Sequence, residues 1–184
     1  MRIQGQKIAI LVAQDVEDLE YYVPYMRLQE EGAQVLTAAA DLKPIHGKHG
    51  LPIIPDTLVR DLREADLDAL VIPGGWAPDK LRRDTAVTDL VRKMDSVHKP
   101  IAIICHGGLV AISAGIVRGH HATGSLGIKD DLVNAGATWI DKPAFRDGNL
   151  IWGRVVEDIP AFCREMVTAL REYREAPAPS ANIV

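Results

Sequence analysis

The sequence is poor in aromatic residues and in cysteine, and it has no long apolar run. Phenylalanine, tryptophan and tyrosine make up 5% of the 184 residues, and the two cysteines are Cys105 and Cys163. Two cysteines do not form a disulfide framework, so we expect free thiols and a reducing, cytoplasmic location. The apolar stretch KIAILVA near the start is too short to cross a membrane and no cleavage pattern follows it, so we expect no membrane segment.

Net charge and recognised ligand motifs are also scarce. The chain has 21 Lys and Arg against 25 Asp and Glu, a formal charge of −4. It lacks a basic patch with interleaved aromatic residues, so nucleic acid is not an expected partner. It also lacks a P-loop or a GxGxxG after a strand, and its six histidines have no Cys or carboxylate at a known zinc spacing. We therefore expect no cofactor and no metal.

What the chain does contain is an alternation of strands and helices. Its length suits one domain, which we place at residues 1–175, with a loose tail at 176–184 that is rich in Pro, Ala and Ser. Continuous apolar runs indicate strands buried on both faces. These predicted strands are Lys7–Ala13, Ala33–Ala38, Ala69–Ile72 and Ile101–Ile104.

Helical spacing of apolar residues separates these strands. The predicted helices lie near 18–31, with a kink or a broken first turn at Pro24, and near 87–97, 128–135 and 162–173. Hairpin or edge structure is predicted at 45–54 and 145–153. This pattern predicts one doubly wound α/β domain with a mostly parallel sheet, whose functional residues lie at the carboxyl ends of the strands.

The segment IAIICHGG is the strongest indication of chemistry. A buried strand leads directly into Cys105, and Gly107 and Gly108 follow before an apolar helical segment. This is the pattern of a nucleophile elbow, in which the helix amides lower the pKa of the thiol. A buried structural cysteine is the alternative interpretation. Cys163 aligns with the apolar residues of the last helix, and we interpret it as core packing.

Three further residues are candidates to assist Cys105. His106 follows it directly, and either a proton-sharing partner or a surface residue fits that position. The loop Ile72-Pro73-Gly74-Gly75 ends another strand, so the amide of Gly75 is a candidate oxyanion donor, although Gly-Gly is also typical of a plain tight turn. Glu17, after the first strand, is a candidate for a carboxyl group that leans over the elbow in protonated form, although acids at a helix start are also explained by the helix dipole.

Several stretches together resemble the ThiJ/PfpI superfamily, in its intracellular protease I branch, which includes relatives of the Parkinson-linked deglycase. The resemblance runs from about residue 7 to about residue 170. It rests on VEDLEYYVPYMRLQEEG, GKHG, LDALVIPGGWAPDKLR, KPIAIICHGG, ISAG, GIKDDLVNAGATWID and DGNLIWGR. The resemblance implies a flavodoxin-like three-layer sandwich with a nucleophile elbow.

The resemblance also implies roles for individual residues. Cys105 would be the nucleophile and Glu17 the nearby acid. His106 would be its proton partner, and its amide with that of Gly75 would form the oxyanion site. Asp79 matches a carboxylate that a neighbouring subunit supplies to the histidine, where the family has the longer Glu. The pocket would be lined by Gly74, Trp76, Gly107, Ser125 and Leu126; Ser125-Leu126 replaces a usual Tyr-Pro pair, and CHGG replaces CHGP.

The function implied is a cysteine-dependent stress-response hydrolase, acting as a homo-oligomer on reactive carbonyls such as methylglyoxal or early glycation adducts. An intracellular cysteine peptidase with the same nucleophile is the alternative enzyme. Two non-enzymatic alternatives remain open: Cys105 as a redox sensor, and a holdase-type chaperone in which Cys105 has no role. Peptides or small carbonyl compounds are therefore the expected binding partners.

Overall fold

We describe the protein from a computed structural model of residues 3–175. The strands are β1 (Lys7–Leu11), β2 (Gln34–Ala39), β3 (Ile45–His46), β4 (Pro52–Ile53), β5 (Thr57–Leu58), β6 (Ala69–Ile72), β7 (Ile101–Ile104), β8 (His121–Ala122), β9 (Thr138–Trp139), β10 (Ala144–Asp147) and β11 (Leu150–Gly153). The helices are α1 (Asp18–Glu30), α2 (Ala77–Leu81), α3 (Thr85–Ser96), α4 (Gly108–Ala114), α5 (Lys129–Asn134) and α6 (Ile159–Glu175).

Seven strands form the central sheet, in the order β10-β11-β7-β6-β1-β2-β5. Every neighbouring pair is parallel except β10 and β11, which form an antiparallel hairpin. The middle strands β6, β7 and β11 are buried along their whole length, which explains their continuous apolar sequences. The short pairs β3-β4 and β8-β9 lie outside this sheet.

The strand order reverses between β1 and β6, and this places helices on both faces. The chain moves in one direction from β1 to β2 and in the other from β6 to β7, so right-handed crossovers put α1 and α3 on opposite faces. Consistently, α6 packs on α1, β10 and β11, whereas α4 packs on α3 and β7. The predicted three-layer, doubly wound α/β fold is confirmed.

Local sequence explains where several helices begin and end. The Asp84 side chain caps α3 by accepting the N–H of Ala86 at 2.9 Å. Gly115 ends α4 in the left-handed conformation with φ of 78°. The α1 helix continues through Pro24, so the predicted alternative of a broken first turn is wrong. Packing of α1 against α6 and β2 outweighs the hydrogen bond that proline removes.

The sequence predictions match the observed elements closely in the centre of the molecule. The strands Ala69–Ile72 and Ile101–Ile104 have the predicted bounds, and both predicted hairpins are present as β3-β4 and β10-β11. The short elements α2, β5, β8 and β9 were not predicted. The predicted tail at 176–184 lies outside the described residues. Within residues 3–175, no helix combines the length and the hydropathy that a membrane span requires.

Candidate active site

The candidate site lies where the strand order reverses, at the carboxyl ends of β1, β6 and β7. In doubly wound sheets this is the crevice in which ligands bind. Two of the loops that leave these strands are joined by backbone hydrogen bonds. Glu17 N–H donates to the Gly74 carbonyl at 3.2 Å, and Trp76 N–H donates to the Asp15 carbonyl at 2.9 Å. The site is therefore built on a rigid backbone frame.

Cys105 lies on the predicted elbow. It follows β7 directly, begins a 3₁₀ turn that leads into α4, and has a left-handed backbone with φ of 58°. Such a conformation in a residue other than glycine stores about 1–3 kcal/mol of strain and is concentrated at functional sites. Gly107 permits the sharp turn, because a Cβ there would lie 2.3 Å from the Ile72 carbonyl oxygen. The elbow prediction is confirmed.

Two backbone amides approach the sulfur. The N–H groups of Gly75 and His106 both hydrogen-bond to the Cys105 thiol and favour its ionised form. These are the two donors predicted for an oxyanion site. Gly74 is required beside them, since a Cβ would lie 2.8 Å from Cys105 Cβ and 2.9 Å from the His106 nitrogen. Gly74 thus keeps the sulfur and the two amides close together.

The carboxyl group beside the thiol belongs to Glu20, which corrects the prediction of Glu17. Glu20 is fully buried, its Oε2 accepts the Gly74 N–H at 2.7 Å, and its side chain interacts with Cys105. The pKa of Glu20 is raised to about 7, mainly by burial. The hydrogen bonds from Gly74 and Cys105 offset part of this rise, and the Glu17 charge adds to it. Near neutral pH this carboxyl group can therefore hold a proton next to the sulfur.

Glu17 points into the same cavity but serves another role. It precedes α1, and its carboxylate lies 3.4 Å from Lys48 Nζ and 3.4 Å from His49 Nε2. Glu20 lies one turn further along, four residues before the buried Pro24, on the face of α1 that packs inward. The spacing of the buried residues of α1 is the one sequence signal that favours Glu20.

The predicted lowering of the Cys105 pKa is also wrong. Burial and the charge of Glu20 raise the pKa of this thiol to about 12 and outweigh the amides of His106 and Gly75. The helix that follows has only seven residues, so it contributes little beyond those amides. Because the two groups share one site, losing one proton leaves a single charge divided between the Glu20 carboxyl and the sulfur.

His106 is placed as a proton partner. Its Nδ1 lies 3.3 Å from Cys105 Sγ, and its ring lies 5.9 Å from the ring of Trp76. Burial, followed by the charge of Lys48, lowers the pKa of His106, so the imidazole is neutral near pH 7. A neutral imidazole can accept a proton, which a general base must do.

The cavity over Cys105 has a volume of about 170 Å³. Its lining consists of Glu17, Glu20, Lys48, Gly75, Trp76, Cys105, His106, Val155, Val156 and Glu157. Of the predicted pocket residues, Trp76 lines it, and Gly74 lies directly behind it. Gly107, Ser125 and Leu126 do not line it: Gly107 packs on Ile72, Ser125 Oγ accepts the Gly127 N–H at 3.4 Å, and Leu126 is 76% exposed.

Asp79 does not contact His106 within one chain. It is exposed on α2 and pairs with Arg83. A second cavity of about 350 Å³, which also touches Trp76, is nevertheless lined by both Asp79 and His106. The prediction that Asp79 reaches the histidine of a neighbouring copy stays a prediction.

One group of side chains has metal-ligand chemistry. Ligand atoms of Glu17, Asp18 and His49 lie within 4.8 Å of one another. These side chains already have partners within the protein, because the Asp18 carboxylate accepts the N–H groups of His49 and Leu51 and Glu17 pairs with Lys48. These contacts explain the cluster as the support of the β3-β4 turn.

Besides Glu20, sequence reasoning missed four residues of the cavity: Lys48, Val155, Val156 and Glu157. The last three follow β11, which is the neighbour of β7 in the sheet. The carboxyl end of a neighbouring parallel strand faces the same crevice, so its position in the sheet was the available signal. Nothing in the local sequence around Lys48 indicates that its turn folds over Cys105.

Comparison with known proteins agrees with this architecture. The family model described as "DJ-1/PfpI family" matches residues 6–169. A protein named as a deglycase in Pyrococcus abyssi is 42% identical over 165 residues, covering 90% of this chain and 99% of that protein. A Bacillus subtilis protein whose name proposes a cysteine protease is 37% identical over 170 residues, covering 91% and 99%.

One solved structure is similar to this protein over nearly the whole length of the chain. It is a two-domain protein from Anabaena variabilis with DJ-1/ThiJ/PfpI-like and ferritin-like domains. The TM-score is 0.89 at 34% identity, and the match covers 98% of this chain and 52% of that one. The names of the curated relatives indicate an enzymatic role for the shared domain. With a family model over most of its length and relatives above 40% identity, the chain belongs to the DJ-1/PfpI family.

Proposed function

We propose that the protein is a cysteine-dependent hydrolase of small reactive carbonyl compounds, which converts a 2-oxoaldehyde such as methylglyoxal to a 2-hydroxy acid. The observation that carries the proposal is the arrangement in one small cavity of Cys105, the protonated Glu20, the neutral His106 and two amides. The deglycase name of the Pyrococcus abyssi relative supports the same chemistry. Both cysteines are free, which suits the reducing cytoplasm that we propose as its location.

The first step is addition of the thiolate to the aldehyde. The Cys105 sulfur forms a bond to the aldehyde carbon, and the π electrons of the carbonyl move to its oxygen. The amides of Gly75 and His106 donate hydrogen bonds to that oxyanion. The proton held by Glu20 stabilises the thiolate before the attack, so the sulfur does not need a low pKa of its own.

The second step moves a proton between carbons. The neutral His106 imidazole takes the proton from the former aldehyde carbon and returns it to the neighbouring carbon. The oxygen on that carbon takes the proton that Glu20 held, which leaves a thioester beside a hydroxyl group. Water then adds to the thioester, the carbon–sulfur bond breaks, and the thiol is restored. One carbon is oxidised and its neighbour is reduced, so one water molecule is consumed and no external oxidant is needed.

A cysteine peptidase is the second candidate, since one relative carries that name. The cavity argues against it. A volume of about 170 Å³ lies below the range of about 300–1,000 Å³ that is typical of pockets for larger ligands. A compound of few heavy atoms fits over Cys105, whereas a peptide needs an extended groove.

The test is the conversion of methylglyoxal to lactate by the purified protein. We expect wild type to form lactate and Cys105→Ala to lose at least about a thousandfold in kcat/KM, because the covalent step is removed. The matched variant Cys163→Ala should remain within about twofold. Absence of lactate with wild type would rule out this substrate class. Equal rates for wild type and Cys105→Ala would rule out the mechanism.

We also propose a homo-oligomer in which Asp79 of one copy orients His106 of the next. The exposure of Asp79 and its cavity shared with His106 support this arrangement. Light scattering should give a mass above that of one chain, and Asp79→Ala should lower kcat. A monomer with wild-type activity in the Asp79 variant would contradict the arrangement.

A further inference from the structure

The turn between β3 and β4 is fixed over the cavity by α1. The buried carboxylate of Asp18 accepts the N–H of His49 at 2.7 Å and that of Leu51 at 2.9 Å. The N–H of Lys48 donates to the Val16 carbonyl at 2.8 Å. Three hydrogen bonds therefore hold the backbone around Lys48 in place, and they give its side chain a fixed origin next to Cys105.

The Lys48 side chain lines the cavity over Cys105. Among the described residues, it is the single lysine or arginine in that lining. Its Nζ lies 3.4 Å from Glu17 Oε2, longer than the 2.7–2.9 Å of a strong charge-assisted hydrogen bond, and Glu17 also faces His49. An ammonium group has three N–H donors, so Lys48 keeps donors for a ligand.

The charge of Lys48 reaches both groups that exchange protons in the proposed reaction. It lowers the pKa of Glu20 and that of His106. Trp76, Val155 and Val156 provide the apolar part of the lining. Coulomb interactions are stronger in such surroundings than in bulk water.

We propose that Lys48 binds the second oxygen of the substrate, the one on the carbon next to the carbon that Cys105 attacks. The proposal rests on the function proposed above and deepens it, because it predicts a preference for vicinal dicarbonyl compounds over simple aldehydes. The amides of Gly75 and His106 hold the first oxygen. Negative charge develops on the second oxygen while His106 moves the proton, and the ammonium group is placed to stabilise it.

A thiol alkylation experiment tests the site without requiring turnover. Iodoacetate and iodoacetamide react with a thiolate by the same step, in which the sulfur–carbon bond forms and iodide leaves with its electron pair. They differ in the carboxylate that iodoacetate places beside the attacked carbon. We expect Lys48→Met to lower the ratio of the Cys105 rate constants for iodoacetate and iodoacetamide by about tenfold. The Cys163→Ala background restricts the reaction to Cys105.

Two further variants sharpen this test. Lys93→Met removes the same charge from an exposed position of α3 and should leave the ratio within about twofold. Glu17→Gln removes the counter-ion of Lys48, and the ratio should rise by about threefold. An unchanged ratio in Lys48→Met, or a ratio that falls in Glu17→Gln, would overturn the proposal. Circular dichroism melting of Lys48→Met and Lys48→Gln checks that both variants fold.

Turnover separates failure of this proposal from failure of the function. If wild type converts methylglyoxal, Lys48→Met should raise KM for it about tenfold. A normal KM together with an unchanged alkylation ratio would contradict the role of Lys48 and leave the hydrolase function intact. If wild type does not convert methylglyoxal, a shifted alkylation ratio would still establish the anion subsite, and the hydrolase function would fail alone.

Discussion

The two cysteines of this protein share a raised pKa but lie in otherwise opposite surroundings, since Cys105 lines a cavity and Cys163 is buried in the core. Burial is the first cause of a raised pKa in both, to about 12 for Cys105 and about 11 for Cys163. Cys163 lies in the second turn of α6 and is buried together with Phe162 and Met166. Cys105 ends a strand in a left-handed conformation, beside a carboxyl group, an imidazole and two amides.

If Cys105 is the nucleophile that we propose, neither burial nor a raised pKa identifies a reactive thiol. What distinguishes Cys105 is a neighbour that can hold the proton the sulfur releases, because Glu20 has a pKa of about 7. Cys163 has no comparable acid among the causes of its shift; the charges of Arg27 and Arg164 merely lower its pKa. Reactivity therefore depends on the partners that the fold supplies.

The largest expected effect concerns Glu20, the acid that lies beside Cys105 and has no counterpart at Cys163. The pKa of Glu20 is raised from 4.5 to about 7 in the folded state, so protonation favours the fold and stability falls as pH rises from about 4.5 to about 7. This loss is at most about 3 kcal/mol. Glu20→Gln removes the titrating group. In urea titrations, the free energy of unfolding of Glu20→Gln should therefore fall less between pH 5 and pH 8 than that of wild type, by up to about 3 kcal/mol.

Glu157→Gln is the matched control for this measurement. It removes an exposed carboxylate from the same cavity, so the pH dependence should stay within about 0.5 kcal/mol of wild type. If Glu20→Gln and wild type lose equal stability between pH 5 and pH 8, Glu20 is not a buried proton carrier. The comparison between the cysteines would then lose its basis.

A smaller effect tests the backbone at the two cysteines. At Cys105 the left-handed backbone favours glycine, so Cys105→Gly should be more stable than Cys105→Ala by about 1 kcal/mol. At Cys163 the helix favours alanine, so Cys163→Gly should be less stable than Cys163→Ala by a similar amount. Urea denaturation of the four variants measures both differences. The same sign at both positions would show that the elbow is not strained.

The parts of the fold that depend on local sequence were predictable. The continuous apolar runs of β6 and β7 gave their bounds, and the glycines after Cys105 indicated the elbow. The sequence analysis assigned the carboxyl group beside Cys105 to Glu17, whereas the structure places Glu20 there. These residues are three apart at the start of α1, and the packing of the helix, not its sequence alone, decides which of them turns inward.

Two other features depend on contacts between distant parts of the chain. Lys48 lies over the cavity because Asp18, 30 residues before it, binds the backbone of the β3-β4 turn. The pKa of Cys105 follows from burial under the Gly74-Gly75 loop and from Glu20, which outweigh the helix amides considered from sequence. Neither the position of Lys48 over the cavity nor the degree of burial of Cys105 is encoded in a local sequence pattern.

The most direct test of the central claim is the pH dependence of Cys105 alkylation by iodoacetamide, in wild type and in Glu20→Gln, both carrying Cys163→Ala. In wild type the first proton leaves the Glu20–Cys105 pair near pH 7, so the rate should rise through an inflection near that value and then level off. In Glu20→Gln the buried thiol ionises alone, and the inflection should move above the ordinary value of a cysteine. The same inflection in both proteins would contradict the claim that Glu20 makes Cys105 reactive.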